Sequence, residues 1–315
     1  MARLFTFGET MAAFAPDRPG ALRYAGSFRP YAAGSESNVA IGAVKLGVDA
    51  EWFGRLGDDG FGKMIRGKVL AEGVRCDRLI FDPDHPTGVM FKEITGGETN
   101  VFYYRKGSAA STMNPSDLDR LDLSDTQIIY MTGITPILSE SCRKTVERMF
   151  DLAEEKRIMT AFDPNVRKKL WRGIDYRGLM KSYVLRSEII LTGMDEIRLL
   201  FGDKTVEQII DEAFEKGKVK YLVIKDGSRG AVVSDGIRME KIPPRPCIPV
   251  EPIGAGDGFN AGFLTGIIRG KDMKTAGVMG GICGALATQT PGDYEGYPDA
   301  CEMERALKGR EETAR

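Results

Sequence analysis

One histidine, His85, and five cysteines, Cys76, Cys142, Cys247, Cys283 and Cys301, are all that 315 residues offer in those two types. The histidine sits in the turn-rich Asp82-Pro83-Asp84-His85-Pro86. A lone imidazole there removes Ser-His-Asp, Cys-His and multi-histidine metal chemistry from consideration. The cysteines are odd in number, far apart and without a Cys-x-x-Cys pair. That excludes a disulfide framework and a zinc site, and leaves mostly buried, apolar-behaving thiols. No apolar run is long enough to span a bilayer, and Met1-Ala2-Arg3-Leu4-Phe5-Thr6-Phe7-Gly8 is too short for a signal core, so a cytoplasmic location is expected. Neither sign of charge dominates: the net charge of -1 and scattered Lys and Arg give no electrostatic footprint for nucleic acid.

What the chain does have is apolar content, 42%, sufficient for a sizeable core. Strand and helix patterns alternate from Gln127 onward: Ile128–Met131, Ser139–Glu155, Met159–Phe162, Glu188–Leu191, Ile197–Phe201 and Tyr221–Ile224. Such βα alternation predicts an α/β fold with a doubly wound, mostly parallel sheet flanked by helices. Leu4–Gly8 reads as a buried strand, Ser37–Leu46 as a helix ended by Gly47, and helical patterns follow Ile253 over Asp257–Arg269, Met273–Gln289 and Asp299–Leu307. The charged segment 308–315 reads as a frayed tail. Two β-rich runs, Val89–Thr95 and Thr99–Arg105, meet at Gly96-Gly97, a hairpin signal. Together with the mixed stretch Met11–Ala33, this predicts one α/β domain over 1–315 with a small β lid from about 11–33 and 86–108.

The most informative stretch is Pro252-Ile253-Gly254-Ala255-Gly256-Asp257-Gly258-Phe259-Asn260-Ala261-Gly262-Phe263. Gly254, Ala255 and Gly256 leave room for an anion, and free N–H groups at a helix start attract negative charge. Asp257 would stand beside a bound phosphate, where a carboxylate can take the proton of an attacking hydroxyl. The alternative is a plain glycine-rich turn with an Asp near a helix N-terminus. In the hairpin's second strand Val101, Tyr103 and Arg105 share a face. Arg105 reads either as a solvated edge-strand charge or as a clamp on a carboxylate. Arg167, in Ala161-Phe162-Asp163-Pro164-Asn165-Val166-Arg167, lies just past a strand end, where ligands of open α/β sheets gather, unless Asp163-Pro164-Asn165 is only a turn. Gly57-Asp58-Asp59-Gly60-Phe61-Gly62-Lys63 has P-loop spacing, but Met64 replaces the magnesium-binding Ser or Thr and two aspartates would face phosphate, so it is rejected. No Gly-x-Gly-x-x-Gly follows the first strand, which disfavours a dinucleotide-binding oxidoreductase.

These residues together resemble the ribokinase (PfkB) family of sugar kinases, from about Gly8 to Pro298, and within it most closely the 2-keto-3-deoxygluconate kinases. Gly254-Ala255-Gly256-Asp257 matches the family's anion hole and catalytic base. The segment from Gly54 to Gly62 resembles its N-terminal signature, Gly34 and Asn38 its substrate-side pair, and Lys225-Asp226-Gly227-Ser228-Arg229-Gly230 its nucleotide loop. The resemblance implies substrate contacts from Gly34, Asn38, Tyr103, Arg105, Ile134, Arg167 and Asp293. It places Asn165, Lys225, Gly227, Gly230, Gly254 and Gly256 around ATP, and Glu196 near Mg2+ through water. The sugar-acid reading rests on Phe102-Tyr103-Tyr104-Arg105-Lys106-Gly107-Ser108-Ala109 and Thr132-Gly133-Ile134-Thr135-Pro136, whereas Asp163-Pro164-Asn165 and Leu170-Trp171 are shared with fructokinases. Four positions depart from the pattern. Gly193 replaces the asparagine of the Asn-x-x-Glu magnesium motif, Ala33 replaces a glycine, Met90 a tyrosine, and Glu251 an aspartate, which disfavours a monovalent-cation site. The expectation is an ATP-dependent kinase that phosphorylates the terminal hydroxyl of 2-keto-3-deoxygluconate or its galactonate epimer and works as a homodimer or higher homo-oligomer. A fructokinase or other sugar kinase of the family, or a non-catalytic sugar-binding protein on the same fold, are the alternatives.

Overall fold

A computed structural model of the chain describes residues 3–96, 98–171 and 173–309. Gly97 of the expected hairpin turn and most of the expected tail, 310–315, lie outside the described residues. In chain order the first half contains β1 (Leu4–Phe7), β2 (Met11–Pro16), β3 (Phe28–Ala33), α1 (Ser35–Lys45), β4 (Ala50–Phe53), β5 (Arg55–Gly57), α2 (Gly60–Ala71), β6 (Ile80–Asp82), β7 (Val89–Thr95), β8 (Glu98–Tyr104) and β9 (Ile128–Thr132). The second half contains α3 (Glu140–Lys156), β10 (Met159–Asp163), α4 (Lys168–Trp171), α5 (Arg177–Arg186), β11 (Ile189–Gly193), α6 (Met194–Phe201), α7 (Val206–Lys216), β12 (Tyr221–Lys225), β13 (Ala231–Ser234), β14 (Met239–Ile242), α8 (Ala255–Ile268), α9 (Met273–Ala287) and α10 (Ala300–Leu307).

An eight-stranded sheet in the order β14-β13-β12-β11-β10-β9-β1-β4 forms the body. It is parallel from β4 to β12 and antiparallel at β13 and β14. Its central strands are buried at nearly every position, β1 and β9 completely, because helices cover both faces. Two apolar clusters result, one around Trp52, Tyr130 and Phe263 and the other around Phe5, Phe150 and Phe162. A second sheet, β3-β2-β7-β8, turns Met11, Ala13, Ala33 and Met90 inward with Tyr31, Val101 and Tyr103. Among the described residues no helix is long and apolar enough to cross a membrane.

The helix carrying Asp257 is seated by small residues. A Cβ on Gly42 of α1 would come within 2.5 Å of the Ala261 Cβ, and one on Gly262 within 2.5 Å of the Met279 carbonyl oxygen. Glycine thus lets α8 lie almost in backbone contact with α1 and α9, and any larger side chain would push the helix off the sheet. The rejected P-loop segment is structural: Asp59 caps α2 by accepting from the Gly62 N–H and also from the N–H and hydroxyl of Thr87. The sequence pattern missed β4, β5, β6, α2, α4, α5, α7 and the β13–β14 hairpin, and it began α1 two residues late. Ser35 and Glu36 are polar residues buried inside that helix's first turn, which masks the apolar period.

Candidate active site

The strands β10, β11 and β12 end at Asp163, Gly193 and Lys225, and these ends form one wall of a cavity of about 520 Å³. Met11, Met90, Val101, Tyr103 and Arg105 of the second sheet and its flank form the opposite wall, so that sheet hangs over the carboxyl edge as a lid would. Of the residues expected in the site, Gly34, Asn38, Tyr103, Arg105, Ile134, Asn165, Arg167, Glu196, Lys225, Gly254, Gly256, Asp257 and Asp293 all line this cavity. Ala255, Gly227 and Gly230 do not; Ala255 opens α8 between two lining glycines without reaching the cavity itself. Gly227 is an exposed turn residue, and the glycine at 230 is required by packing: at φ 93°, a Cβ would fall 2.1 Å from the Ile242 carbonyl oxygen.

Asp257 lies in the first turn of α8 and is held at both oxygens. The Ser35 hydroxyl donates to Oδ1 at 2.6 Å and the Asn38 amide to Oδ2 at 2.8 Å. Burial pushes its pKa up to about 6, and Asp163 and Asp293 add to the rise while the two hydrogen bonds oppose it. Glu36, also buried, is raised to about 7 by desolvation and accepts from Thr132 and Thr135. The Asn38 amide is shared with Asp293 at 3.3 Å, whereas Asn38 Oδ1 is buried without a partner among the described residues. A buried, unsatisfied acceptor on a cavity wall is costly unless a ligand hydroxyl fills it.

The anion cradle is set by backbone geometry. Gly254 precedes α8 at φ 83°, and a Cβ there would fall 1.9 Å from the Asp293 carbonyl oxygen, so this position admits only glycine. The Gly256 and Asp257 N–H groups have no acceptor within the helix, and the helix dipole adds to their pull on an anion. Lys225 Nζ stands 3.8 Å from where a Gly256 Cβ would be, held by Asp163 at 2.8 Å and by Asn260 Oδ1 at 2.9 Å. The cradle therefore combines unpaired N–H groups with an ammonium, the donor set that a nucleotide's phosphates require. For magnesium, the described residues contain no cluster of three or more candidate ligands. Glu196 already accepts from the Val166 and Gly193 N–H groups at 2.7 and 2.8 Å. A carboxylate pinned in this way near Asp163 fits an ion held chiefly by phosphates and water, since Mg2+ keeps much of its hydration.

The two arginines differ. Arg105 is buried and paired with Glu9, whose other oxygen accepts from Ser108. That overturns the reading of Arg105 as a solvated edge charge: β8 ends at Tyr104, and the guanidinium turns inward. Arg167 is exposed on the cavity wall, and its guanidinium has no ion-pair or hydrogen-bond partner among the described residues. His85 bonds Asp82 and takes no part in the cavity.

Sequence reasoning missed Ser35, Asn260 and Lys92. Asn260 was within reach, being one turn after Asp257 on the same helical face, where it bridges Lys225, Asp163 and the Tyr130 hydroxyl. Ser35 follows Gly34 directly and also accepts from Asn165 at 3.0 Å, which brings Asn165 beside Asp257. Lys92 gave no signal, as a lysine in an alternating strand reads as solvent-facing.

A family model described as pfkB family carbohydrate kinase matches residues 1–300. The chain is 35% identical to a 2-dehydro-3-deoxygluconokinase of Bacillus subtilis over 93% of this chain and 91% of that protein. It is 32% identical to a 2-dehydro-3-deoxygalactonokinase of Haloferax volcanii over 98% and 97%. The crystal structure of a PfkB protein from Polaromonas sp. JS666 matches with a TM-score of 0.88 at 32% identity, covering 96% of this chain and 99% of that one. With an oriented carboxylate, an anion cradle and a covering sheet already in place, these likenesses show that the chain belongs to the PfkB family of carbohydrate kinases and is a sugar phosphotransferase.

Proposed function

We propose that the sugar is an open-chain 2-keto-3-deoxy acid, 2-keto-3-deoxygluconate or its galactonate epimer, and that ATP phosphorylates its terminal hydroxyl to give the 6-phosphate. The observation that carries this reading is the pairing of one unengaged guanidinium, Arg167, with the oriented Asp257 in a single cavity. A molecule with a carboxylate at one end and a primary hydroxyl at the other can engage both. The unpartnered Asn38 Oδ1 accepts from a hydroxyl along the sugar chain, and Tyr103 and Ile134 flank it.

Asp257 takes the proton of the terminal hydroxyl as that oxygen attacks the γ-phosphorus, and the bond from phosphorus to the bridging oxygen of ADP breaks. Ser35 and Asn38 aim the carboxylate, and the Gly254–Asp257 backbone with Lys225 receives the charge on the transferring group. A bound Mg2+ would neutralise the β- and γ-phosphate oxygens, with Glu196 as its water-mediated protein contact. The chain acts as one domain with the β3-β2-β7-β8 sheet as its lid, which excludes water from the acceptor site. The lid's outer face leaves Phe102 and Tyr104 exposed, and we assign it to contact a second copy in a homodimer, which sedimentation can check.

The test is ADP release with MgATP across 2-keto-3-deoxygluconate, its galactonate epimer, fructose, ribose and a nucleoside, with Asp257→Asn as control. A response confined to the two keto-deoxy acids is expected. Activity on neutral sugars alone would overturn the acid reading while leaving the phosphotransferase intact.

A further inference from the structure

Among the described residues Lys92 is the most fully buried charged side chain of the lid, and it points inward from β7. Its Nζ donates to Glu251 Oε1 at 3.0 Å and to Asp293 Oδ1 at 3.2 Å, and lies 6.0 Å from the centre of the Tyr31 ring. Burial works against the ammonium, yet Asp293 and Glu251 more than offset it, so the pKa ends above that of a free lysine.

Its two partners belong to the segments that build the anion cradle. Glu251 opens the strap running into Gly254, and its second oxygen accepts from the Gly292 N–H at 3.2 Å. Asp293 supplies the backbone carbonyl against which Gly254 packs, and its Oδ2 shares the Asn38 amide with Asp257. The order of contacts is therefore Lys92, Asp293, Asn38, Asp257. Without a positive charge between them, two buried carboxylates would repel each other behind a site that binds polyanions. A free cation could also fill that place, since carboxylate oxygens suit hard cations. Here the space between Glu251 Oε1 and Asp293 Oδ1 is already taken by Nζ.

We propose that Lys92 is a tethered monovalent cation, a positioning residue that holds the 251–254 and 292–293 segments in register so that phosphoryl transfer needs no potassium or ammonium ion. The inference rests on the family's phosphoryl transfer and not on which sugar is the acceptor.

The test compares wild type, Lys92→Arg and Lys92→Ala in tetramethylammonium, sodium, potassium and ammonium chlorides at equal ionic strength. ADP release and thermal melting are read in each salt, the melting without any sugar. Wild type and Lys92→Arg are expected to turn over equally in all four salts. Lys92→Ala is expected to lose at least about tenfold in kcat/KM in tetramethylammonium, to recover a large part of it in potassium or ammonium, and to melt higher in those two salts. Activation of wild type by potassium of more than about threefold would overturn the proposal, as would a folded Lys92→Ala whose activity and melting ignore the cation. If Lys92→Ala folds in no salt, the wild-type arm decides: equal rates in the four salts keep the proposal, and potassium activation removes it. An acceptor outside the sugar panel would leave the melting arm unaffected, which separates failure of this inference from failure of the substrate reading.

Discussion

The floor of the cavity and the lid above it are built from different kinds of contact. On the floor, Asp257, Asn260, Lys225 and Asp163 sit on α8 and on the ends of β12 and β10; Asn260, Lys225 and Asp163 hold one another, and Ser35 and Asn38 of α1 hold Asp257. In the lid, charges are neutralised by residues remote in sequence: Arg105 by Glu9, and Lys92 by Glu251 and Asp293. On the proposed reading the floor serves any acceptor alike, because the ends of the sheet strands and α8 set its geometry. The buried charges of the lid are satisfied by carboxylates outside it, so little of its charge is left to read a ligand. Of the two arginines that line the cavity, Arg167, on the floor side, is the one whose guanidinium has no partner among the described residues, and the proposed reading gives it that task.

The largest expected effect tests the floor. Asp257→Asn keeps the shape and both contacts, since its amide can face the Ser35 oxygen while its carbonyl accepts from Asn38, but it removes the proton acceptor. Turnover is expected to fall about 10²- to 10⁴-fold with ATP affinity nearly unchanged. Steady-state kinetics beside ATP titration measures this, and near-normal turnover would remove Asp257 as the base.

Next in size is the contrast between the arginines. Arg167→Ala is expected to lower kcat/KM for a keto-deoxy acid by about 10- to 100-fold, the worth of one charge-assisted contact, and to leave a neutral ketose nearly unaffected. Arg105→Ala is expected to harm both substrates and the fold, because it strands the buried Glu9 carboxylate at a cost of about 3–5 kcal/mol. Equal losses on acid and neutral sugars in Arg167→Ala would show that Arg167 does not read the carboxylate.

The same comparison explains what the sequence made legible. That Gly254, Gly256 and Asp257 meet at one cavity wall could be read because they are contiguous and their proposed chemistry follows from residue type and helix position. The parallel body followed from the βα alternation for the same reason. Arg105 was readable as a lid residue but not as a paired one, since Glu9 lies in the loop after β1 and only the fold brings them together. Lys92 was hidden more completely: strand periodicity says which face a side chain takes, not whether a carboxylate waits there. Gly230 was misleading in the other direction, a glycine in a nucleotide-loop pattern that backbone packing against β14 explains.

The smallest effect concerns the cost of holding the base ready. Asp257 has a folded pKa of about 6 against an ordinary 3.8, so the native state keeps that proton where the unfolded chain has lost it. Ionised Asp257 therefore destabilises the fold above about pH 6. The penalty shrinks as pH falls through that value and is gone below the unfolded pKa. The rise corresponds to on the order of 3 kcal/mol, an upper figure because the native site can relax. Asp257→Asn should then melt a few degrees above wild type at pH 8 and show no advantage near pH 4. Glu36 acts in the same direction, since losing the charge at 257 eases its own ionisation. Wild-type kcat/KM should fall on acidification through about pH 6 as the base takes its proton. If both proteins melt alike at pH 8 while turnover is lost, Asp257 is ionised without strain, and the readiness of the base comes from its hydrogen bonds to Ser35 and Asn38 and not from burial.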